Sequence, residues 1–167
     1  MEWVDLIDND NRVVGQAPRA IVRRHNMLHR GIGVLCLDPA GRVYVHQRTA
    51  TKDLFPSHFD MFVGGVVGAG EDYLEAARRE VEEELGVTEG KLEHLFDHLY
   101  LGPENRSWIR LYQVVWAGPI RCQPEEIVWG DWMSPGEVVR WAETVPIVAD
   151  GLELFRIHGE RFPQFWG

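Results

Sequence analysis

The stretch from Gly65 to Val87, GVVGAGEDYLEAARREVEEELGV, constrains the fold more than any other part of the chain. Its apolar residues recur at intervals of three and four, which predicts an amphipathic helix over about 72–85. The members of that apolar stripe are Leu74, Ala77, Val81 and Leu85. Gly70 stands just before the helix, and Gly86 stands where a helix C-terminus favours a left-handed residue. We therefore expect a loop, a helix and a second loop here.

A run of glutamates lies beside the apolar stripe of this helix. At about 100° per residue, Glu80, Glu83 and Glu84 fall within ~100° of one another, next to the face that packs on the core. Like charges spaced three or four residues apart destabilise a helix by ~0.2–0.5 kcal/mol per pair. A divalent cation offsets that repulsion, because hard ions such as Mg²⁺ bind clustered carboxylate oxygens. The helix alone therefore fits two interpretations, a solvated acidic face or a metal site.

The order of residue types across the whole stretch favours the metal site. Five residues separate Gly65 from Glu71, and seven more precede Arg79-Glu80-Val81; Glu83-Glu84 and Gly86-Val87 then follow at one-residue gaps. This pattern resembles the signature box of the Nudix hydrolases at every defining position. The resemblance implies an α+β fold, an α/β/α sandwich with a mixed β-sheet between helices. The box, residues 65–87, would form a loop–helix–loop on one side of that sheet.

The resemblance also implies roles for residues of the box. The metal ligands would be Glu80, Glu83 and Glu84, assisted by a backbone carbonyl near Gly64 or Gly65. The ion would be Mg²⁺, with Mn²⁺ as a possible substitute. Arg79 and Glu71 would form an ion pair that orients the metal carboxylates. The catalytic set would thus comprise Glu71, Arg79, Glu83, Glu84 and a general base. Glu82 is expected to point elsewhere, into solvent.

The general base is less closely defined than the metal ligands. It is either a box glutamate or a carboxylate from a later loop. Glu125 and Glu126 lie six or seven residues before Trp132, where relatives often carry a further metal-binding or catalytic glutamate. We favour Glu126 over an exposed loop carboxylate with no such role, and Glu104 is the second choice.

The N-terminal half resembles the branch of the superfamily that includes isopentenyl diphosphate isomerase and its hydrolase relatives. The residues that carry this likeness are Trp3-Val4-Asp5, His25, Leu28-His29-Arg30, Gln47-Arg48-Thr49, Lys52 and Pro56. Arg48 and Lys52 are spaced like the basic pair that binds diphosphate in that branch, so we expect them to bind substrate. The catalytic cysteine of the isomerases aligns with Gly64, which argues against isomerase chemistry.

Two histidines of the same region, His25 and His29, are spaced four residues apart and could bind a metal if they lay on a helix. In the isomerases a third histidine completes such a site, and its position is Val66 here. Ordinary packing or hydrogen bonding is therefore the favoured interpretation of both histidines.

Composition limits the remaining possibilities. The chain has 167 residues, 45% hydrophobic and 26% charged, which suits one soluble domain spanning 1–167. The net charge of −9 disfavours stable nucleic-acid binding but permits a small phosphorylated substrate beside a cation. Cys36 and Cys122 are expected to be buried, reduced thiols, and we identify no signal peptide and no membrane span. We expect a cytoplasmic protein without a membrane partner, as a monomer or homodimer.

Turn signals divide the chain into short elements. Residues 1–28 are expected to form a β-hairpin, with strands at 3–7 and 12–16, and a short helix at 18–25. Further strands are expected at 31–37, 42–47, 61–67, 92–101, 107–117 and near 127–133. Ser134 and Glu137 form a capping box for a helix over about 135–144, and a final short helix is expected at 151–158.

The sequence is compatible with three functions. The first is a Mg²⁺-dependent hydrolase that cleaves the phosphoanhydride of nucleoside 5′-di- or triphosphates or of related nucleoside diphosphate derivatives. The others are an isopentenyl diphosphate isomerase and a non-catalytic nucleotide-sensing domain. The hydrolase is favoured because all the box carboxylates are present.

Overall fold

The structure, a computed structural model, describes residues 1–167 and contains nine strands and four helices. The strands are β1 (Trp3–Ile7), β2 (Val13–Pro18), β3 (His29–Leu37), β4 (Val43–Arg48), β5 (Phe59–Asp60), β6 (Val63–Val66), β7 (Glu93–Leu101), β8 (Arg106–Val115) and β9 (Ile127–Met133). The helices are α1 (Arg19–His25), α2 (Tyr73–Leu85), α3 (Pro135–Ala142) and α4 (Ala149–Arg161). The two-residue strand β5 was not expected from the sequence, and α4 is longer than expected.

Strand β3 is the centre of a mixed sheet. It runs parallel to β8, where Gly31 lies opposite Ile109, and antiparallel to β6, where Ile32 lies opposite Gly65. Strands β1 and β4 pair with its two ends, β4 continues to β9 and β5, β7 pairs with β8, and β2 pairs with β1. The pairing of β3 with β6 and β8 brings the box loop beside the start of β8.

Alternate residues of β3 enter two separate cores, as the period of two in a strand requires. Ile32 and Val34 belong to a core that α2 covers through Ala77 and Val81. Leu35 and Leu37 belong to the opposite core, which contains Val138 of α3 and Leu154 of α4. Helices therefore lie on both faces of the sheet, and the predicted α/β/α sandwich is confirmed. None of the four helices has the length and hydrophobicity of a transmembrane helix.

Helix α2 begins and ends at the residues that the sequence suggests. The Asp72 side chain accepts a hydrogen bond from the Glu75 backbone N–H at 2.8 Å, and Gly86 ends the helix with φ of 73°. Leu74, however, is 52% exposed, so its assignment to the apolar stripe was wrong. Tyr73, one position earlier, occupies the buried face instead, where the Arg110 guanidinium lies 4.3 Å from its ring centroid. Its hydroxyl also donates to Asn11, a contact that periodicity does not reveal.

Both cysteines are free thiols, as expected. Cys36 is buried, but Cys122 is only partly buried and lies 3.3 Å from the Tyr44 hydroxyl. The expectation of two buried thiols therefore holds for Cys36 alone.

Candidate active site

A cleft of about 500 Å³ lies beside β3, β6 and α2, and only six of its 28 lining residues are hydrophobic. It collects residues that are far apart in the chain. Those already singled out by the sequence are Arg48, Lys52, Gly65, Arg79, Glu80, Glu83, Glu84 and Glu126. Glu71 is outside the cleft lining, behind Arg79. The expected ligands, the expected phosphate-binding pair and the favoured base therefore share one polar cavity.

Arg79 connects the loop before α2 to the carboxylates on the helix. Its Nε and Nη2 donate to the two oxygens of Glu71, each at 2.9 Å, and Nη2 also donates to the Val66 carbonyl at 3.1 Å. Its Nη1 donates to Glu80 Oε1 at 2.6 Å and lies 3.6 Å from Glu83 Oε2. Because the guanidinium is a planar fork, its hydrogen bonds hold the Glu71 and Glu80 carboxylates in fixed relative positions, whereas Glu83 is only within ion-pair distance. Those hydrogen bonds from Arg79 also lower the pKa of Glu71 below its ordinary value.

Gly65 leaves room for the carboxylate of Glu80. A Cβ atom at residue 65 would lie 2.4 Å from the Glu80 Cδ, a separation that real side chains do not tolerate. At the neighbouring Gly64, the nearest atom to such a Cβ is 3.9 Å away. Of these two glycines, only Gly65 is therefore needed for the close approach of backbone and carboxylate.

Glu84 is buried and Glu80 partly buried on the same helix edge, and this environment favours the protonated forms of both. Burial raises the pKa of Glu80 to about 7, against the opposing effect of Arg79, while Glu83 and Glu126 add repulsion. Burial and then repulsion from Glu80 raise the pKa of Glu84 well above its ordinary value. The site thus concentrates more negative charge than Arg79 neutralises.

The residues fit a hard divalent cation by donor type. Glu84 is only 8% exposed and its carboxylate makes no hydrogen bond or ion pair with the protein, although buried carboxylates are normally paired. A cation would neutralise it together with Glu80. The side chains are not arranged as a finished cage, since no group of three or more His, Cys, Asp or Glu residues has ligand geometry. Glu83, whose side chain is 51% exposed, has space to reorient.

Arg48, the last residue of β4, and Lys52, in the loop that follows, both reach the cleft. Lys52 forms an ion pair with Glu126, which brings the favoured base next to the basic pair. Arg48 donates from Nε and Nη2 to the Leu54 carbonyl, at 3.1 and 2.9 Å, and this fixes its guanidinium at the cleft wall. Glu125 is exposed at the cleft rim, and Glu104 is exposed outside the lining.

The histidines do not form a metal site. His29 lies on β3, not on a helix with His25, and its Nδ1 is 2.8 Å from the Met27 carbonyl. His25 is exposed at the end of α1. The interpretation of His29 as a hydrogen-bonded, packed residue agrees with this arrangement.

Sequence reasoning missed the second half of the cleft lining. Its polar residues include Arg19, Arg23, Asp60, Asn105, Ser107 and Asp150, which come from separate helices, strands and turns. None belongs to a compact motif. Only the pairing of β3 with β8 and the position of α4 assemble them.

Comparisons of the sequence and of the structure with known proteins point to the same family. The NUDIX domain family matches residues 27–151. A Nudix hydrolase of Streptomyces coelicolor is 44% identical over 156 residues, covering 92% of this chain and 86% of the relative. The crystal structure of DR0079 from Deinococcus radiodurans has a TM-score of 0.78 and 29% identity, covering 93% of this chain and 98% of that one.

A more distant structure shares only the fold. The Nudix domain of NrtR from Shewanella oneidensis, crystallised with ADP-ribose, has a TM-score of 0.61 and 16% identity, covering 87% of this chain and 99% of that one. Together with the complete box and the carboxylate-lined cleft, the closer matches decide the family. The chain belongs to the Nudix hydrolases, enzymes that hydrolyse acid anhydrides in phosphorus-containing compounds.

Proposed function

We propose that this chain is a Mg²⁺-dependent pyrophosphohydrolase of nucleoside 5′-di- or triphosphates, or of related nucleoside diphosphate derivatives. One observation carries the proposal. Glu80, Glu83 and Glu84 of the helix line the same cleft as a basic pair, of which Lys52 also contacts Glu126. Such a cleft can accept an anionic diphosphate only when a cation offsets the carboxylates.

The metal would be held by Glu80, Glu83 and Glu84 with the carbonyl of Gly65. When bound, Mg²⁺ neutralises phosphate oxygens and lowers the pKa of a coordinated water. Mn²⁺ is a possible substitute, because it also accepts octahedral oxygen ligands. Arg79 and Glu71 would act indirectly, by holding the ligand carboxylates in place.

The remaining residues would position and deprotonate the reactants. Lys52 and Arg48 would contact the oxygens of the diphosphate, Lys52 as a point charge and Arg48 as a fork. A phosphate that binds Lys52 would weaken the ion pair between Lys52 and Glu126. The carboxylate of Glu126 would then accept a proton from the attacking water as general base.

The nucleotide part of the proposal has indirect support. The ligand of the NrtR domain is ADP-ribose, a nucleoside diphosphate derivative, and that domain shares this fold. The cleft of about 500 Å³ is within the usual size range of small-ligand sites, and its polar lining suits a charged substrate.

The two alternative functions are less well supported. For an isomerase, neither Cys36 nor Cys122 lines the cleft, and glycine stands at the cysteine position. A non-catalytic sensor would have no need of the complete set of box carboxylates, and least of all of Glu84, which is buried without a partner for its carboxylate.

The decisive experiment measures phosphate and pyrophosphate release from nucleoside di- and triphosphates, dinucleoside polyphosphates and nucleotide sugars, with Mg²⁺ and with chelator. We expect turnover of one class that chelator abolishes. A folded, Mg²⁺-binding protein that turns over none of these compounds would refute the proposal.

A further inference from the structure

The cleft extends beyond the metal and phosphate residues into what we call the polar pocket, defined by Arg23, His29, Asp60, Asn105, Ser107 and Asp150. This pocket adjoins the box loop. A Cβ atom added to Gly31 would lie 2.5 Å from Ser107 Oγ and 3.4 Å from the Gly65 carbonyl oxygen. A group attached to a diphosphate held near Gly65 would therefore be next to Ser107.

A chain of hydrogen bonds fixes one wall of the polar pocket. Arg23 Nη1 donates to Asn105 Oδ1 at 3.1 Å, and Asn105 Nδ2 donates to Asp150 Oδ2 at 3.4 Å. Asn105 is buried, so its amide orientation is set by these two neighbours. Asp53 lies 3.4 Å from Arg23 and ties the loop after β4 to the same wall. The wall is thus preorganised across α1, the turn before β8 and the start of α4.

One group beside this wall has no partner in the protein. Ser107 is 2% exposed and its hydroxyl makes no hydrogen bond. A buried polar group left without a partner destabilises the folded chain. Ser107 lines the cleft, so a bound ligand is the natural source of the missing partner.

The hydrogen-bonding character of the pocket identifies the kind of ligand. His29 Nδ1 faces the Met27 carbonyl and must donate to it, so Nε2 of the neutral ring is an acceptor. Burial lowers the pKa of His29 to about 4, which keeps the ring neutral. An ionised phosphate has only acceptors and cannot satisfy His29, whereas a hydroxyl group can donate to His29 and accept from Arg23.

The remaining lining argues against a buried nucleobase. Phe55 is the only Phe, Tyr or Trp among the 28 lining residues, so the cleft offers little aromatic surface for stacking. Asp60, by contrast, is buried and Asp150 half-buried, and both offer carboxyl groups of the kind that bind hydroxyls.

We propose that the polar pocket binds the hydroxyl groups of a sugar attached to the scissile diphosphate, and that Ser107 and His29 determine this specificity. The inference rests on the proposed function, because it assumes that a diphosphate lies against the box carboxylates and Lys52. It narrows the substrate class to sugar-bearing diphosphates in which the sugar, not the base, enters the cleft.

The test measures equilibrium binding by calorimetry with Mg²⁺, using probes that resist cleavage between the α and β phosphorus atoms. The probes are α,β-methylene-ADP, its 2′,3′-dideoxy analogue and methylenediphosphonate. For the wild type we expect the dideoxy probe to bind about tenfold more weakly than the parent, since pocket groups stay unpaired. Ser107→Ala removes an unpartnered hydroxyl, so it should fold normally and reduce this ratio to about threefold or less.

Methylenediphosphonate separates sugar recognition from phosphate recognition. Ser107→Ala should leave its affinity unchanged, whereas Lys52→Ala should weaken all three probes alike. Equal affinity of the parent and dideoxy probes for the wild type would overturn the inference. So would a ratio that survives both Ser107→Ala and His29→Gln, because the hydroxyls would then be recognised elsewhere.

Failure of the proposed function has a different signature. In that case the wild type would bind neither methylenediphosphonate nor α,β-methylene-ADP in the presence of Mg²⁺, and both proposals would fall. Diphosphate binding without a hydroxyl preference would overturn the polar-pocket inference alone.

Discussion

The guanidinium of Arg79 donates two hydrogen bonds to the carboxylate of Glu71, each 2.9 Å long. Glu71 also accepts from the Gly68 backbone N–H at 3.0 Å. A single arginine therefore joins the loop before α2 to the helix, and its remaining Nη1 donor reaches Glu80. The orientation of a candidate metal ligand thus depends on a residue that need not touch the metal.

Replacing Arg79 tests this dependence. Arg79→Lys keeps the charge but loses the two-pronged contact with Glu71, so the Mg²⁺ affinity or the turnover number should fall by about 10–100-fold. Arg78→Lys is the matched control, since Arg78 contacts the carbonyls of Glu89 and Gly90 outside the cleft. Titration of the activity against Mg²⁺ concentration measures the Mg²⁺ affinity and the turnover number of each variant. Equal effects of Arg79→Lys and Arg78→Lys would contradict an orienting role for Arg79.

Adjacent glycines allow a test of the space beside Glu80. Gly65→Ala places a Cβ 2.4 Å from the Glu80 Cδ and must displace that carboxylate, so Mg²⁺-dependent turnover should fall at least about tenfold. Gly64→Ala meets nothing closer than 3.9 Å and should retain most of its activity. Parallel Mg²⁺ titrations and melting curves would separate a local effect from unfolding. The idea fails if Gly64→Ala is the more damaging change.

The proposed general base can be examined in the same way. Glu126→Gln keeps the shape of the side chain but cannot accept a proton, so kcat should fall by about 100-fold or more with little change in KM. Glu125→Gln, one residue earlier and exposed, is the control. A normal kcat in Glu126→Gln would assign the proton transfer to another group.

Burial of Asp60 predicts how stability depends on pH. Burial, followed by repulsion from Asp150, raises the pKa of Asp60 from 3.8 to about 8. The unfolded chain therefore loses this proton near pH 4 while the folded chain keeps it to about pH 8. The stabilisation that protonated Asp60 contributes to the free energy of unfolding is therefore complete below about pH 4. It is lost as the pH rises to about 8.

Asp60→Asn should flatten that decline, because amide nitrogen and oxygen do not titrate. Urea unfolding at pH 5 and pH 8 in chelator measures the difference. Glu80, Glu84 and Asp150 also have raised pKa values, so the variant should remove only part of the decline. Asp131→Asn, at an exposed position of β9, serves as the control. An equally steep decline in Asp60→Asn would show that this carboxyl is not the source.

The part of the cleft that the sequence predicts in most detail is encoded within one continuous segment, residues 65–87. One helix edge carries Glu80, Glu83 and Glu84 because the α-helix has a fixed angle per residue. The helix ends at Gly86 because glycine readily adopts the left-handed backbone conformation found there. The same reasoning misplaced Leu74, since periodicity cannot choose between neighbouring residues that are both apolar. The contacts of Tyr73 with Arg110 and Asn11 made that choice.

The rest of the cleft depends on contacts between distant segments. Ser107 enters the cleft because β8 runs parallel to β3, and Asp150 enters because α4 packs on the opposite face of the sheet. Arg23 and Asn105 are separated by 82 residues and meet only in the folded chain. A serine in a strand or an asparagine in a turn has no sequence pattern that marks it as part of a binding site.

The most direct test of the account compares three neighbouring glutamates of α2. Phosphate release from the preferred nucleotide is measured with Mg²⁺ for Glu83→Gln, Glu84→Gln and Glu82→Gln, the last at an exposed position. The account predicts at least about 100-fold lower turnover for the first two variants, since each loses a metal ligand, and near-normal, chelator-sensitive turnover for Glu82→Gln. Full Mg²⁺-dependent turnover in Glu83→Gln and Glu84→Gln would contradict it.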